Sequence, residues 1–185
     1  EKAFAGMLPS SAAAAEPGRY TGGDSREIRD LEQAHLVLGF EGVGFADDDY
    51  CPLAVLSTAL GGGMSSRLFQ EVREKRGLVY SIYTFSSAYQ DGGLFGLYAG
   101  TGEDEVAELI SVVCDELHKV AADPLAEDEI TRARAQIKAG VLMSLESTSS
   151  RAERLARLLQ VYDRIIPVDE IANRIDSVSA EDIRR

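Results

Sequence analysis

The stretch from Gly61 to Ser81 constrains the fold more than any other part of this sequence. It predicts a loop, a helix, a sharp stop and a strand in direct succession. Three consecutive glycines at 61–63 are costly to order, so they predict the loop, and Ser65 or Ser66 can cap the helix that follows. The apolar face of that helix consists of Leu68, Phe69 and Val72.

Gly77 predicts where this helix ends and where the chain turns into the strand. A glycine adopts the left-handed conformation of a helix C-cap without steric penalty, and residues 78–85 then alternate as in a strand. The turn lets Arg73 and Tyr80, seven residues apart, point to one spot. Both side chains donate hydrogen bonds, and such a pair suits a carbonyl oxygen that gains negative charge during a reaction. A surface arginine and a half-buried strand tyrosine would produce the same pattern.

The order of the predicted elements indicates one domain over residues 1–185. Residues 1–18 are interpreted as the end of an upstream helix and a linker, residues 19–101 as a strand-rich part and residues 102–185 as a helical part. Strands that precede helices favour an α+β fold, a largely antiparallel sheet packed on helices, over a doubly wound fold. Because the chain starts within a helical pattern and without Met, we expect further sequence upstream.

Strands are predicted at residues 33–41 and in a hairpin of residues 78–88 and 93–100, with turn residues at 90–93. Both faces of the first strand are apolar enough to be covered. A weaker edge strand is predicted around 26–29. Helices are predicted from apolar periodicity over the following ranges: 47–60, 103–120, 128–145, 151–162, 168–175 and from 180 onward.

Charge and composition argue against several classes of function. A net charge of −12 is unfavourable for binding nucleic acid or an anionic membrane surface, and no apolar run reaches membrane-spanning length. The two cysteines, Cys51 and Cys114, lie in apolar helical patterns and are predicted to be free thiols in a reducing compartment. The cytoplasm is therefore the expected location, since no signal peptide is visible.

The sequence contains no metal-binding motif. Glu32 and His35 straddle the entry to a strand, where their side chains diverge. Cys114 and His118 are four residues apart on a predicted helix, but a zinc site would still need a third and a fourth ligand. The aspartates at 47–49 are interpreted as caps of a helix N-terminus rather than as a calcium loop.

The segment from Leu60 to Ser81, together with the hairpin sequence from Asp91 to Tyr98, closely resembles a known family. It is similar to the second, non-zinc domain of pitrilysin/insulinase-type zinc peptidases, and most of all to the bacterial and mitochondrial processing-peptidase branch. The resemblance covers residues 20–185. It implies that zinc is held by the N-terminal domain of the full-length protein through a His-x-x-Glu-His motif, and that this chain alone binds no zinc and cleaves nothing.

The resemblance also implies roles for individual residues. Arg73 and Tyr80 match the family's arginine and tyrosine, which reach across the chamber to hold the substrate backbone and the tetrahedral intermediate. Gly61, Gly62 and Gly63 match the position of a glycine-rich loop used in substrate handling, although a short run such as this one also suits a simple connector. The expected partners are the N-terminal zinc domain, a peptide substrate and a second subunit, in a homodimer or a pair of different chains.

Two other functions are compatible with the same residues. One is a catalytically inactive family member that pairs with an active partner or forms a structural core subunit of a larger complex. The other is an independent peptide-binding module that uses a free sheet edge. Retention of both Arg73 and Tyr80 favours the peptidase.

Overall fold

The computed structural model describes Gly6 and residues 16–185. The helical end predicted for residues 1–8 lies outside the described residues except for Gly6, and so does most of the predicted linker. Residues 16–31 contain no helix or strand, so the edge strand predicted around 26–29 is wrong. The side chains there pair with close neighbours, as Arg26 does with Asp24, and Ile28 is 99% exposed, so no apolar contact stabilises a strand.

The sheet has three antiparallel strands: β1 Ala34–Gly42, β2 Val79–Ala88 and β3 Gly93–Thr101. Their spatial order is β1-β3-β2, so β3 is the central strand. β2 and β3 form the predicted hairpin, whose turn is closed by a hydrogen bond from the Tyr89 N–H to the Gly92 carbonyl at 2.8 Å. This antiparallel sheet packed on helices confirms the predicted α+β class.

The helices lie where the apolar periodicity predicts them, with ends displaced by a few residues. Their bounds are α1 Tyr50–Gly61, α2 Val106–Ala122, α3 Glu127–Ser144, α4 Thr148–Tyr162, α5 Val168–Asp176 and α6 Ala180–Arg184. A short π-helix, Phe69–Glu74, lies between α1 and β2. Within the described part of the chain, no helix combines the length and the apolar character needed to cross a bilayer.

One face of the sheet forms the main core. It packs against α1, α2 and the π-helix through buried side chains: Leu60, Leu68, Val72, Ile82, Phe95, Leu97, Leu109 and Val113. A second apolar cluster joins α1 to α3 and α5. Gly61 lies at the closest point between α1 and β2, where a Cβ atom would be 2.6 Å from the Thr84 backbone nitrogen. The segment between α1 and β2 is thus held between two elements of the core, and its own Leu68 and Val72 are buried in that core.

The opposite face of the sheet is open among the described residues. Val37 is 59% exposed, and Tyr83 is 47% exposed although its ring stacks on that of Tyr98 at 4.9 Å. The expectation that both faces of the first strand are covered is therefore wrong within residues 16–185, because the helices that pack on the sheet all lie on its other side.

Candidate functional site

The helix predicted after the glycine loop forms, but most of it is a π-helix. Arg67 and Leu68 are helical, and the Phe69–Glu74 segment is wound more widely, with the Lys75 N–H bonded to the Gln70 carbonyl at 3.0 Å, five residues back. Leu68 and Val72 are fully buried, so the predicted apolar face is confirmed. This winding leaves Arg73 at the end of the helix, on its exposed side.

The predicted serine cap is not formed by Ser66. Its hydroxyl donates to the Gly63 carbonyl at 2.6 Å instead of accepting an N–H group of the helix. The Ser66 carbonyl accepts the first helical hydrogen bond, from the Gln70 N–H at 3.0 Å. Ser66 is buried, and it closes the loop that precedes the helix.

Gly77 ends the π-helix as predicted, in the left-handed conformation with φ of 66°. Its N–H donates to the Arg73 carbonyl at 3.0 Å, and the Leu78 N–H donates to the Val72 carbonyl at 3.1 Å. These two bonds attach the end of the helix to the residue that precedes β2. The backbone of Arg73 is therefore fixed relative to the start of the strand.

Tyr80 lies in a β-bulge at the start of β2. Its neighbour Val79 pairs with Thr101 and Ser81 pairs with Gly100, so Tyr80 has no residue opposite it on β3. The buried Thr101 hydroxyl donates to the Leu78 carbonyl and thereby holds the strand just before the bulge. A bulge redirects a side chain relative to the regular ladder, and Tyr80 is 67% exposed here.

Arg73 and Tyr80 are unpaired donors within the described part of the chain. Neither the guanidinium nor the phenol group hydrogen-bonds to a residue of Gly6 or 16–185, and Arg73 makes no ion pair there. The Arg73 guanidinium lies over the Phe69 ring, 4.7 Å from its centroid, a contact that keeps its N–H edges accessible. The carboxylate of Glu71, two residues before Arg73, accepts hydrogen bonds from Lys75 and Arg76. These hydrogen bonds, the one from Lys75 first, lower the pKa of Glu71.

The glycine loop makes close backbone contacts. Besides the approach of Gly61 to Thr84, a Cβ atom on Gly62 would lie 2.7 Å from the Thr58 Cα. The Gly62 carbonyl accepts a hydrogen bond from the Gln136 side-chain amide at 2.5 Å. These contacts account for glycine at 61 and 62 by packing alone, and a role for Gly61, Gly62 and Gly63 in substrate binding stays a prediction.

A largely buried ion pair beside the loop is the feature that sequence reasoning missed. The Arg67 guanidinium donates from Nε to Glu129 Oε1 at 2.5 Å and from Nη2 to Oε2 at 2.7 Å. Its hydrogen bond to Glu129 raises the pKa of Arg67, and the same bond lowers the pKa of Glu129. The partners are 62 residues apart, and no local pattern in the sequence connects them.

The described residues do not provide a zinc site. The His35 Nδ1 lies 2.8 Å from the Tyr98 hydroxyl, and Cys114 and His118 do not form a metal-binding group with a third side chain of the described residues. No group of three His, Cys, Asp or Glu side chains within Gly6 and residues 16–185 is arranged to hold a metal ion.

The aspartates at 47–49 do not cap α1 through their side chains. Asp47 Oδ1 accepts the Asp49 N–H at 2.9 Å and closes a turn, and Asp49 pairs with the Arg185 guanidinium. No side-chain hydrogen bond caps the helix N-terminus at Asp49, so that part of the prediction is wrong. The segment is a turn tied to the C-terminal end of the chain.

The family of this domain follows from its sequence as well as from its fold. The family profile described as the peptidase M16 inactive domain matches residues 2–137, which is more than half of the chain. The chain therefore belongs to the peptidase M16 inactive-domain family. The resemblance stated above, to the non-zinc domain of a family of zinc peptidases, is confirmed.

Bacterial relatives support the same assignment. The chain is 44% identical over 156 residues to an uncharacterised zinc protease of Streptomyces coelicolor, a match that covers 84% of this chain and 34% of the relative. It is 34% identical over 184 residues to an uncharacterised zinc protease of Rickettsia felis, covering 99% of this chain and 44% of the relative. The chain thus spans less than half the length of either protein.

Solved structures share the fold. The peptidase M16 inactive domain from Pseudomonas fluorescens superposes with a TM-score of 0.74 at 24% identity, over 82% of this chain and 36% of that one. A chain of complex III2 from Candida albicans gives a TM-score of 0.75 at 21% identity, over 84% of this chain and 39% of that one. These likenesses concern the arrangement of strands and helices.

Proposed function

We propose that this chain is the non-zinc, C-terminal domain of a zinc metalloendopeptidase and that Arg73 and Tyr80 bind the substrate backbone and its tetrahedral intermediate. One observation carries the proposal: both donors are exposed and unpaired within the described residues, one at the end of a π-helix and one in a β-bulge. Irregularities of both kinds are frequent at functional sites. Membership of the peptidase M16 inactive-domain family supports it independently.

The two side chains suit a developing oxyanion for different reasons. The Arg73 guanidinium is permanently charged and presents several N–H donors in a fixed plane, while the Tyr80 phenol supplies one neutral donor. Donors held in place before the reaction stabilise the charged state without reorganisation. We therefore assign to this chain the orientation of a peptide carbonyl group and the stabilisation of its negative charge.

Zinc belongs to another part of the full-length protein in this proposal. The described residues offer no ligand set for it, so its chemistry is assigned to none of them. The N-terminal domain of the same protein is the proposed source of the zinc ligands, and a second subunit completes the chamber. The two free, half-buried thiols of Cys51 and Cys114 support a reducing compartment such as the cytoplasm.

The test is peptide cleavage by the full-length protein carrying Arg73→Ala or Tyr80→Phe. We expect kcat/KM to fall by about ten- to a thousandfold in each variant, as for the loss of one oxyanion donor. Matched controls are Arg151→Ala, at an exposed arginine of α4, and Tyr89→Phe, at a 63% exposed tyrosine that follows the opposite end of β2. Both controls should keep the kcat/KM of the wild type.

Two results would contradict the proposal in different ways. If Arg73→Ala and Tyr80→Phe cleave as fast as the controls, the two residues have no part in the reaction. If the wild-type full-length protein contains no zinc by metal analysis and cleaves no peptide, the domain belongs to an inactive subunit that pairs with an active one. The two exposed donors, which have no partner among residues 16–185, favour the peptidase.

A further inference from the structure

The ion pair between Arg67 and Glu129 joins the start of the π-helix to α3. Its two hydrogen bonds are parallel, and the side chains of Arg67 and Glu129 are only 23% and 16% exposed. Glu129 Oε2 also accepts the backbone N–H of Ala126 at 2.9 Å, so its carboxylate is fixed by donors from two segments. A bidentate pair of this kind sets a direction as well as a distance.

The other directional contacts at the N-terminal end of the π-helix are made to the loop before it. The Gln70 side-chain amide donates to the Met64 carbonyl at 2.7 Å, and the Gln70 N–H donates to the Ser66 carbonyl at 3.0 Å. Leu68 and Val72 anchor its inner side in the core, but apolar burial is non-directional. The hydrogen bonds of Gly77 and Leu78 fix its C-terminal end. The Arg67 guanidinium is thus the side chain that ties the N-terminal end of the π-helix to the neighbouring helix α3 rather than to its own loop.

The same face of α3 also holds the preceding loop. Gln136 lies seven residues after Glu129, two helical turns along α3, and its amide donates to the Gly62 carbonyl at 2.5 Å. The loop and the π-helix are therefore attached to α3 at two points. A change at Arg67 can be transmitted to Arg73, which lies six positions further along the same helical segment.

We propose that Arg67 and Glu129 are positioning residues that hold the π-helix so that Arg73 presents its guanidinium to the substrate. This inference rests on the proposed function of Arg73. Removal of one partner leaves the other as a poorly solvated charge and lets the N-terminal end of the helix rewind or shift. A displacement of about 1 Å at a group that contacts the substrate lowers turnover by about a hundredfold.

The experiment is a double-mutant cycle in the full-length protein with Arg67→Met, Arg73→Ala and the two combined. We expect Arg67→Met to lower kcat by about ten- to a hundredfold in the wild-type background. In the Arg73→Ala background the same change should alter kcat by less than about twofold, because the group that it positions is gone. Arg67→Lys keeps the charge but not the planar fork, so its kcat should lie between those of Arg67→Met and the wild type.

Lys138→Met is the matched control. Lys138 also lies on α3, and its ammonium group pairs with Asp176 of α5 at 2.6 Å, away from the π-helix. We expect it to lower the urea midpoint without lowering kcat. Glu129→Gln repeats the cycle from the other partner, so the test can be completed even if Arg67→Met does not fold.

The outcomes separate this inference from the proposed function. If Arg73→Ala is slow and Arg67→Met or Glu129→Gln lowers kcat by the same factor in both backgrounds, Arg67 and Glu129 act on stability alone and the positioning role is overturned. If Arg73→Ala keeps the wild-type kcat, the proposed function fails and the positioning role fails with it. A loss of kcat confined to the background that contains Arg73 supports both.

Discussion

Gly61→Ala should destabilise the domain, because α1 and β2 touch at this residue. A Cβ atom there would lie 2.6 Å from the Thr84 backbone nitrogen and 2.8 Å from its side-chain Cγ2 and Oγ1. Ordinary contact requires about 3.5 Å, so the end of α1 must move away from β2 by somewhat less than 1 Å. Thr84 is itself held to α1 by a hydrogen bond from its hydroxyl to the Ser57 carbonyl at 2.6 Å, which this movement would strain.

The expected loss of stability is about 2 kcal/mol. Overpacking of this kind costs about 1–3 kcal/mol and a weakened hydrogen bond about 1 kcal/mol, while replacing a helical glycine with alanine gains about 1 kcal/mol. For a domain of this size, 2 kcal/mol lowers Tm by about 4–8 °C. Urea denaturation of the purified chain, followed by circular dichroism, measures the change in the free energy of unfolding.

Gly140→Ala is the control for Gly61→Ala. Gly140 lies within α3, and nothing lies within 4 Å of a Cβ atom built there, so alanine should raise stability by about 0.5–1 kcal/mol. The same chemical change should therefore have opposite signs at the two positions. If Gly61→Ala is as stable as Gly140→Ala, the close-packing argument is refuted. If Gly61→Ala then raised the KM for peptide without any loss of stability, this result would favour the predicted contact between Gly61 and the substrate.

Two further predictions concern the supports of the site. Thr101→Val should lower the free energy of unfolding by about 1–2 kcal/mol, because it removes the buried hydrogen bond to the Leu78 carbonyl beside the bulge; an unchanged urea midpoint would contradict this. The hydrogen bond to Arg67 lowers the pKa of Glu129 in the folded state. The ion pair therefore contributes its full stabilisation above the pKa of an unfolded glutamate, about 4.3, and this stabilisation is lost as the pH falls through the folded-state pKa of Glu129. In a series of urea midpoints against pH, Glu129→Gln should therefore fall less steeply in acid than the wild type, and identical slopes would count against the pairing.

Local patterns were sufficient to predict most of the fold. The alternation of residues 33–41 and the turn residues at 90–93 predicted β1 and the hairpin, because each depends on side chains close together in sequence. Gly77 predicted the end of the helix, since a left-handed residue at that point is a local requirement. The exposed face of the sheet was not predicted, because apolar character alone does not show on which side the helices pack.

The parts of the site that were missed depend on contacts between distant segments. α- and π-helices share similar apolar patterns, so the pattern of residues 67–76 predicts a helix without predicting its winding. The ion pair between Arg67 and Glu129 closes a separation of 62 residues that no short motif encodes. Charged residues at both positions were visible in the sequence, but their partnership required the fold.

The two local irregularities lie where the predicted donors lie, and this coincidence argues for function more strongly than either donor alone. A regular α-helix and a regular ladder would satisfy the same apolar pattern, so neither the wide turn before Arg73 nor the unpaired position of Tyr80 is required by the core. Departures from local consistency are tolerated mainly where a site needs them. Gly77 joins the two departures through backbone hydrogen bonds, so any force that displaces Arg73 also acts on the start of the strand that carries Tyr80. The segment thus behaves as one structural unit that presents two donors, and variants on either side of Gly77 should show coupled rather than independent effects on turnover.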